Sequence, residues 1–304
     1  AQHGVLMNER PAGAVFTEES GVVSTLRYRK FFGRHWELRA LTGFAALGNR
    51  TLDSSTRIYN WYGEVVPIAN QRGAELSGAP RRVQLMRQNW LQRLTLRYRW
   101  SPSQSLAISG LGVWQTRVGQ NAYGGRIGSV DPLAEPAYLH QTVAALAHEG
   151  QWFGDKLKTV LSAKLYYLQT ASATRAGFSP TSDITRGTYQ RMAPGWNAGV
   201  QYNWSKKFLL KLSYEYALRL PSEEELFGDF FSIQANPDLR PERAHNINLG
   251  AVFRHRGERL PGLTLEGSIF YKQQRDLIVL FIPAFGLAQF INRDETYAFG
   301  GDLG

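Results

Sequence analysis

The densest group of titratable side chains in the sequence is a run of three glutamates, Glu223, Glu224 and Glu225. Neighbouring carboxylates can bind a cation, and they also stabilise the first turn of a helix, where unpaired backbone N–H groups carry partial positive charge. Ser222 precedes the run as a preferred N-cap residue, and Gly228 follows at a position where a helix could end. We therefore expect these glutamates to begin a short helix rather than to form a metal site.

The six histidines do not have the spacing of a metal site. His140 and His148 are predicted on one face of a strand, but eight residues of strand separate them by about 26 Å. We expect them to be solvated, or to face the lumen if the strands form a barrel. Cysteine is absent, which excludes disulfides and thiolate ligands. No serine-nucleophile, phosphate-loop or zinc motif is present, so we predict no catalytic residue, cofactor or metal.

Basic side chains exceed acidic ones, with 35 Lys and Arg against 25 Asp and Glu and a net charge of +10. Such an excess suits nucleic acid, an anionic lipid surface or an anionic ligand. Arg93, Arg97 and Arg99 form a ladder with a period of two, opposite apolar residues such as Leu94 and Leu96. A charged face backed by an apolar face favours a barrel with a wet lumen over a nucleic-acid surface.

These side chains are positioned by segments in which apolar and polar residues alternate, joined by two kinds of connection. Short turns are predicted at residues 30–34, 101–104, 153–155, 205–207 and 255–262, and long regions at 47–87, 117–139, 170–194 and 219–245. Residues 1–20 show no period and are predicted to be a loop, and the most apolar run, 277–290, is too short for a transmembrane helix. The strict alternation of short and long connections predicts an all-β fold, an antiparallel up-and-down transmembrane β-barrel with long extracellular loops and short periplasmic turns.

The longest ordered pattern surrounds the acidic run. Its residues are Arg219, Pro221, Ser222, Glu225, Leu226, Phe227 and Gly228, followed after a gap by Asn236, Pro237, Asp238, Leu239, Arg240, Pro241 and Glu242. Pro221 could occupy the first helical turn, and the later prolines restrict the chain to extended or turn conformations. This pattern resembles the signature of TonB-dependent outer-membrane receptors. Downstream segments around Arg275–Asp276 and Gly300–Gly301 resemble later family strands, although Asp302 stands where glutamate is usual.

The resemblance implies that residues 1–304 form part of a receptor barrel, with about eleven strands of the 22 expected. A plug domain and the C-terminal strands are expected outside this chain. The resemblance also implies a bacterial outer-membrane location, contact with membrane lipid, and TonB as a partner through the plug. The whole protein would bind and import a scarce nutrient: a ferric siderophore, haem, a cobalamin or a glycan. An anionic iron chelate would suit the basic lumen.

We assign the signature residues a structural role, because prolines and leucines offer few ligand contacts. Arg219 is expected to pair with Glu225 or Glu242 and so fold the loop against the barrel rim, behind Phe227 and Leu239. The main alternative function is a passive, porin-like channel. An outer-membrane enzyme would need a catalytic cluster that the sequence does not supply, and a soluble nucleic-acid-binding β-protein would not need the apolar outer face.

Overall fold

The computed structural model describes residues 15–53, 58–59, 62, 64–66, 81–121, 132–175, 184–228, 233–255, 262–282 and 288–304. Strand bounds are β1 Val15–Phe32, β2 Trp36–Asp53, β3 Ile58–Tyr59, β4 Val65–Val66, β5 Arg81–Ser101, β6 Gln104–Asn121, β7 Ala137–Trp152, β8 Leu157–Arg175, β9 Ile184–Asn203, β10 Phe208–Arg219, β11 Ile233–Gln234, β12 Glu242–His255, β13 Leu263–Phe281 and β14 Ala288–Leu303. Helix α1 spans Glu223–Phe227, and a 3-10 turn spans Pro132–Ala134. No helix in these ranges is long and apolar enough to cross a membrane.

The long strands form one continuous sheet in the order β1-β2-β5-β6-β7-β8-β9-β10-β12-β13-β14, with the two-residue β11 beside β14. Each long strand pairs antiparallel with the next, and only β11 pairs in parallel among the described strands of this sheet. The prediction of an all-β, antiparallel up-and-down fold with about eleven strands is confirmed. Within the described residues the sheet remains open between β1 and the β14–β11 edge.

Tight turns join the strands at one end of the sheet. They lie at residues 33–35, 102–103, 153–156 and 204–207, and the first and third use left-handed backbone at Gly33, Phe153, Gly154 and Asp155. Left-handed conformations allow a strand to reverse within a few residues. The predicted alternation is confirmed for these four turns, whereas most of the fifth, at 255–262, lies outside the described residues.

Several strands are longer than the sequence pattern predicts. The chain enters β1 at Val15, so residues 15–20 are strand rather than loop, and it enters β9 at Ile184, inside the predicted loop 170–194. Pro194 belongs to β9, where it is opposite Leu165 of β8. The described pairing of β9 with β10 stops at Trp196, so Pro194 lies in an edge segment, where a missing N–H is tolerated.

The two faces of the sheet differ in chemistry. One face, the inner face, carries Arg93, Arg97 and Arg99 of β5. The connection between β10 and β12 covers this face at the end opposite the tight turns, which we call the loop end. The other, the outer face, exposes large hydrophobic side chains, including Leu94 at 54% and Ile108 at 60%. The predicted separation of apolar and charged side chains between the faces is confirmed.

The predicted environment of two histidines is wrong. The His140 ring stacks on Trp114 with centroids 5.1 Å apart, and the His148 ring stacks on Trp100 at 5.6 Å. Both histidines therefore lie among aromatic rings on the outer face instead of in the lumen or free in solvent. Their even positions share the face of Leu146, and this parity was already present in the sequence.

Candidate functional site: the loop on the inner face

The signature residues form a compact loop, residues 220–228 and 233–241, which we call the inner loop. Helix α1 begins with a reciprocal capping box: the Ser222 hydroxyl accepts from the Glu225 N–H at 3.3 Å, and the Glu225 carboxylate accepts from the Ser222 N–H at 2.7 Å. The helix ends at Gly228, whose φ is 64°. The predicted helix is confirmed, but Pro221 precedes the N-cap instead of occupying the first turn.

The side chain of Arg219, at the end of β10, links helix α1 to β12 through ion pairs. Its guanidinium donates to Glu225 at 3.0 Å and to Glu242 at 2.7 Å. The Glu242 carboxylate, which is 11% exposed, also accepts from the buried N–H of Ile278 at 2.9 Å. The expected ion pair is confirmed with both partners, and it ties the start of the loop to β12 and β13.

Apolar side chains fix the inner loop to the sheet. Leu226, Phe227 and Leu239 are 0%, 2% and 2% exposed. They pack against inner-face residues of three strands, namely Ala137, Leu139, Leu168 and Ile278. Complete burial of such side chains stabilises a fold by about 1.5–3 kcal/mol each. The loop therefore folds onto the inner face near the loop ends of these strands.

Arg117 is a residue of this site that sequence reasoning missed. It lies on β6, is 5% exposed, and donates to the carbonyl oxygens of Gly228 at 2.8 Å and Phe227 at 2.9 Å. Its Nε also lies 3.5 Å from a carboxylate oxygen of Glu223. Burial raises the pKa of Glu223, while the nearby Arg117 charge opposes that rise. Arg117 thus neutralises the C-terminal end of α1 and one of its N-terminal carboxylates together.

The second half of the inner loop attaches to β14. The Asn236 side chain donates to the Phe290 carbonyl at 2.8 Å. The Asn292 side-chain carbonyl accepts from the Arg240 N–H at 2.9 Å, and its amide donates to the Arg240 carbonyl at 2.9 Å. Pro237 contributes its carbonyl to the Thr170 hydroxyl at 3.4 Å, and Pro241 is buried. The loop therefore spans the inner face between β6–β8 and β13–β14.

Ion pairs continue along the inner face towards the tight turns. Glu37, 2% exposed, accepts from Arg29 and Arg39 at 2.6 Å and from Arg99 at 3.2 Å. Arg97 pairs with Glu149 at 2.8 Å. Within the described residues, no group of three His, Cys, Asp or Glu side chains could hold a metal ion. The inner face is therefore lined with paired charged side chains between the inner loop and the tight turns.

Residues 8–304 match the family described as TonB dependent receptor-like, beta-barrel. The chain belongs to this family. Among solved structures, the copper transporter OprC has a TM-score of 0.68 at 15% identity, covering 94% of this chain and 44% of that protein. The siderophore receptor PiuA from Acinetobacter baumannii has a TM-score of 0.65 at 12% identity, and the match covers 95% of this chain and 44% of that protein.

A third similar structure is the Serratia marcescens hemophore receptor HasR in complex with its hemophore and heme. Its TM-score is 0.62 at 13% identity, and the match covers 96% of this chain and 46% of that protein. Identities this low establish the fold alone. The chain spans less than half the length of each of these proteins. No curated protein sequence matches it.

In this receptor barrel, replacing Arg219 by alanine should loosen the inner loop. The lost contacts are charged hydrogen bonds, but Arg219 is 44% exposed, so we expect a cost of about 1–2 kcal/mol. That corresponds to a 5- to 30-fold faster chymotryptic cleavage at Phe227 in the full-length receptor, if cleavage follows local opening. The matched variant Arg219→Lys should lie between alanine and wild type. Unchanged cleavage together with a steep loss of nutrient affinity would make Arg219 a ligand residue.

Proposed function

We propose that this chain forms part of the wall of a bacterial outer-membrane receptor that binds a scarce nutrient and imports it with energy coupled through TonB. Membership in the receptor family over residues 8–304 carries this proposal. In such a receptor the outer face contacts membrane lipid, and TonB acts through a plug domain. No enzymatic step is part of the proposal.

The architecture of the inner face supports a receptor better than an open channel. The inner loop crosses this face between β6 and β14 and is held by Arg117, by the Arg219 ion pairs and by a buried apolar cluster. A passive channel needs an unobstructed lumen, whereas a receptor needs surfaces against which a plug and a ligand can be held. The signature residues are proposed to maintain this surface and not to contact the ligand.

The nutrient is proposed to be an iron or copper complex, a haem, a cobalamin or a glycan. The first two classes include what the similar structures are named for: copper, heme with a hemophore, and siderophores. An anionic iron chelate would also fit the positive charge of the chain, +10 overall. Electrostatic attraction of this kind raises the rate of encounter more than it selects one ligand.

Uptake by cells tests this function. Cells that contain the full-length receptor, and cells that lack its gene, are supplied with haem, cupric ion or a ferric catecholate as sole source of the metal. Receptor-dependent uptake of one of these probes that stops when the proton-motive force is collapsed would support active import. Receptor-dependent uptake that persists after collapse would favour the passive channel and overturn the proposal.

Accessible cysteine labelling tests the orientation of the barrel. These 304 residues contain no cysteine, so single cysteines at Ala134, in the 3-10 turn between β6 and β7, and at Ser205 mark the two ends of the sheet. In whole cells, a membrane-impermeant maleimide should reach the Ala134→Cys site, which lies at the loop end and is exposed. The Ser205→Cys site, in a tight turn, should react only after cell lysis. The reverse pattern would place the tight turns outside the cell.

A further inference from the structure

Two tight turns and the end of β12 enclose a groove at the tight-turn end of the inner face. The turns are residues 153–156 and 204–207, and the groove between them and Arg254 has a volume of about 610 Å³. Inner-face residues of β9, β10 and β12 also line it, namely Gln201, Asn203, Leu209 and Val252. The groove therefore lies on the lumen side of the turns, whereas lipid would contact the outer face.

Backbone hydrogen bonds bring four basic residues to this groove. The Asn203 N–H donates to the Lys156 carbonyl at 2.7 Å, which joins the first of the two turns to β9. The Arg254 N–H donates to the Lys207 carbonyl at 2.6 Å, which joins the second turn to β12. Lys206 precedes Lys207 in that turn. The three lysines and Arg254 all line the groove, and all four residues are exposed.

The charge balance of the groove differs from that of the neighbouring inner face. There, four arginines of β1, β2 and β5 pair with Glu37 or Glu149. The four basic residues of the groove, by contrast, make no ion pair with any residue that the structure describes. Among the described residues that line the groove, Asp155 is the only acid. Four neighbouring cations repel one another, so an anion from outside the chain would stabilise them.

We propose that Lys156, Lys206, Lys207 and Arg254 form a docking site for an extended, acidic peptide segment of a periplasmic protein. This inference rests on the proposed function, because the tight turns must face the periplasm. The contact would lie on the barrel wall itself, separate from any coupling through the plug. Unpaired positive charge on one side of an interface favours a partner that carries negative charge, both in the rate of encounter and in the choice of partner.

The spacing of the strands fits a short extended peptide. Lys156 immediately precedes β8 and Arg254 belongs to β12, so three strand-to-strand steps separate them. At about 4.8 Å for each step, the site is about 14 Å long. Alternate residues of an extended chain lie about 6.6 Å apart on one side, so acids at the first, third and fifth positions would span about 13 Å.

The side-chain chemistry favours peptide carboxylates over a lipid headgroup. Three of the four cations are lysines, whose ammonium groups are compact charges on flexible stems and can follow carboxylates at successive positions of a chain. Bidentate recognition of a phosphate instead favours the planar fork of arginine. The position of the groove on the lumen side of the turns also keeps it away from the lipid that surrounds the outer face.

Peptide titration of the purified full-length receptor tests the site. The fluorescent, end-blocked peptide Glu-Gly-Glu-Gly-Glu and its neutral counterpart Gln-Gly-Gln-Gly-Gln are titrated in detergent micelles at an ionic strength of about 0.1 M. The variant Lys156→Ala/Lys207→Ala/Arg254→Ala should bind the acidic peptide about tenfold more weakly than wild type, because each exposed charge pair contributes about two- to threefold. The neutral peptide should bind wild type no better than the acidic peptide binds this variant.

A matched control removes the same charge elsewhere at the tight-turn end. Arg27→Ala/Lys30→Ala/Arg34→Ala changes three exposed residues of β1 and of the turn that follows it. Five strand steps, about 24 Å, separate β1 from β8, so these charges are largely screened from the groove. The control should stay within about twofold of wild type. Equal losses in both triple variants, or equal binding of both peptides by wild type, would overturn the proposal.

A lipid competitor tests the other anionic occupant of this region. Short-chain phosphatidylglycerol and the zwitterionic short-chain phosphatidylcholine are added to wild type that holds the acidic peptide. Neither lipid should displace the peptide, because the groove lies on the lumen side of the turns. Displacement by phosphatidylglycerol and not by phosphatidylcholine would assign the groove to an anionic lipid and overturn the proposal.

A single opposite-sign variant keeps the test decisive if the triple variant does not fold. Asp155→Asn removes the acid that lines the groove and leaves all four cations in place. Asparagine tolerates the left-handed backbone at this position, where φ is 68°, so the variant should fold normally. It should bind the acidic peptide about twofold more tightly than wild type. Unchanged or weaker binding by folded Asp155→Asn would count against the proposed site.

Cross-linking locates the bound peptide, and uptake separates this inference from the proposed function. A carbodiimide couples peptide carboxylates to lysine amines, so wild type should give adducts at Lys156, Lys206 or Lys207 and few at Lys30. Adducts at Lys30 to the same extent would reject the groove. A receptor that imports its nutrient but does not bind the acidic peptide would reject the groove alone. One that binds the peptide but takes up no nutrient would reject the proposed function alone.

Discussion

Replacing Arg117 by alanine is expected to detach the inner loop from the inner face. The change removes the donor from the carbonyl oxygens of Phe227 and Gly228 and the neighbouring cation from Glu223. These groups are buried or nearly so. Removal of one partner from a buried ion pair costs about 3–5 kcal/mol. In the full-length receptor, chymotrypsin should then cleave the loop at Phe227 at least about 100-fold faster, and the folded yield should fall.

The neighbouring strand supplies a control for Arg117. Arg93 lies on the same inner face in β5 but is exposed, so Arg93→Ala should leave loop cleavage within about twofold of wild type. The cleavage rate of Arg117→Lys should fall between those of wild type and Arg117→Ala, because an ammonium cannot donate to both carbonyls in the fixed geometry of a guanidinium. If Arg117→Ala and Arg93→Ala gave the same cleavage rate, the loop would be held by its apolar contacts alone.

Local signals in the sequence predict the parts of this site that local chemistry determines. Ser222 and Glu225 stand at capping-box spacing, and Gly228 ends the helix they begin, so α1 follows from residues within seven positions of each other. The pairing of Arg219 is predictable because the signature pattern places only a few carboxylates near it, among them Glu225 and Glu242. The alternation of apolar and charged residues likewise predicts the two faces of the sheet.

Contacts between distant strands are what the sequence does not predict. Arg117 is separated by 110 residues from the carbonyl it binds, and nothing in its neighbours distinguishes it from other arginines of the inner face. The start of β9 was missed for a related reason. Gly187 and Pro194 lower the strand propensity of residues 184–194, but pairing with β8 imposes the strand conformation from Ile184 onwards. Tertiary pairing overrides local preference in both places.

Gly228→Ala is expected to disrupt the same loop through the backbone alone. Gly228 has φ 64° and ψ −169°, a region that only glycine enters readily. A Cβ added there would lie 2.1 Å from the carbonyl oxygen of Ile233, which is rigid backbone. Strain and overlap together should cost about 2–6 kcal/mol, and the chain can relieve them only by moving Gly228 and the backbone at Ile233 apart, which disturbs the inner loop.

Two other glycines separate the causes of that loss. Gly154 also has positive φ, 61°, but a Cβ there would meet nothing within 4 Å, so Gly154→Ala should show backbone strain of only about 1 kcal/mol. Gly199 lies in β9 without positive φ or a close neighbour, so Gly199→Ala should be neutral or slightly stabilising. Chymotryptic cleavage of the inner loop should accelerate steeply in Gly228→Ala and remain at the wild-type rate in the other two. Similar cleavage in all three would mean that the loop shifts to accommodate a side chain at 228, and that the contact of the Gly228 carbonyl with Arg117 does not hold it in place.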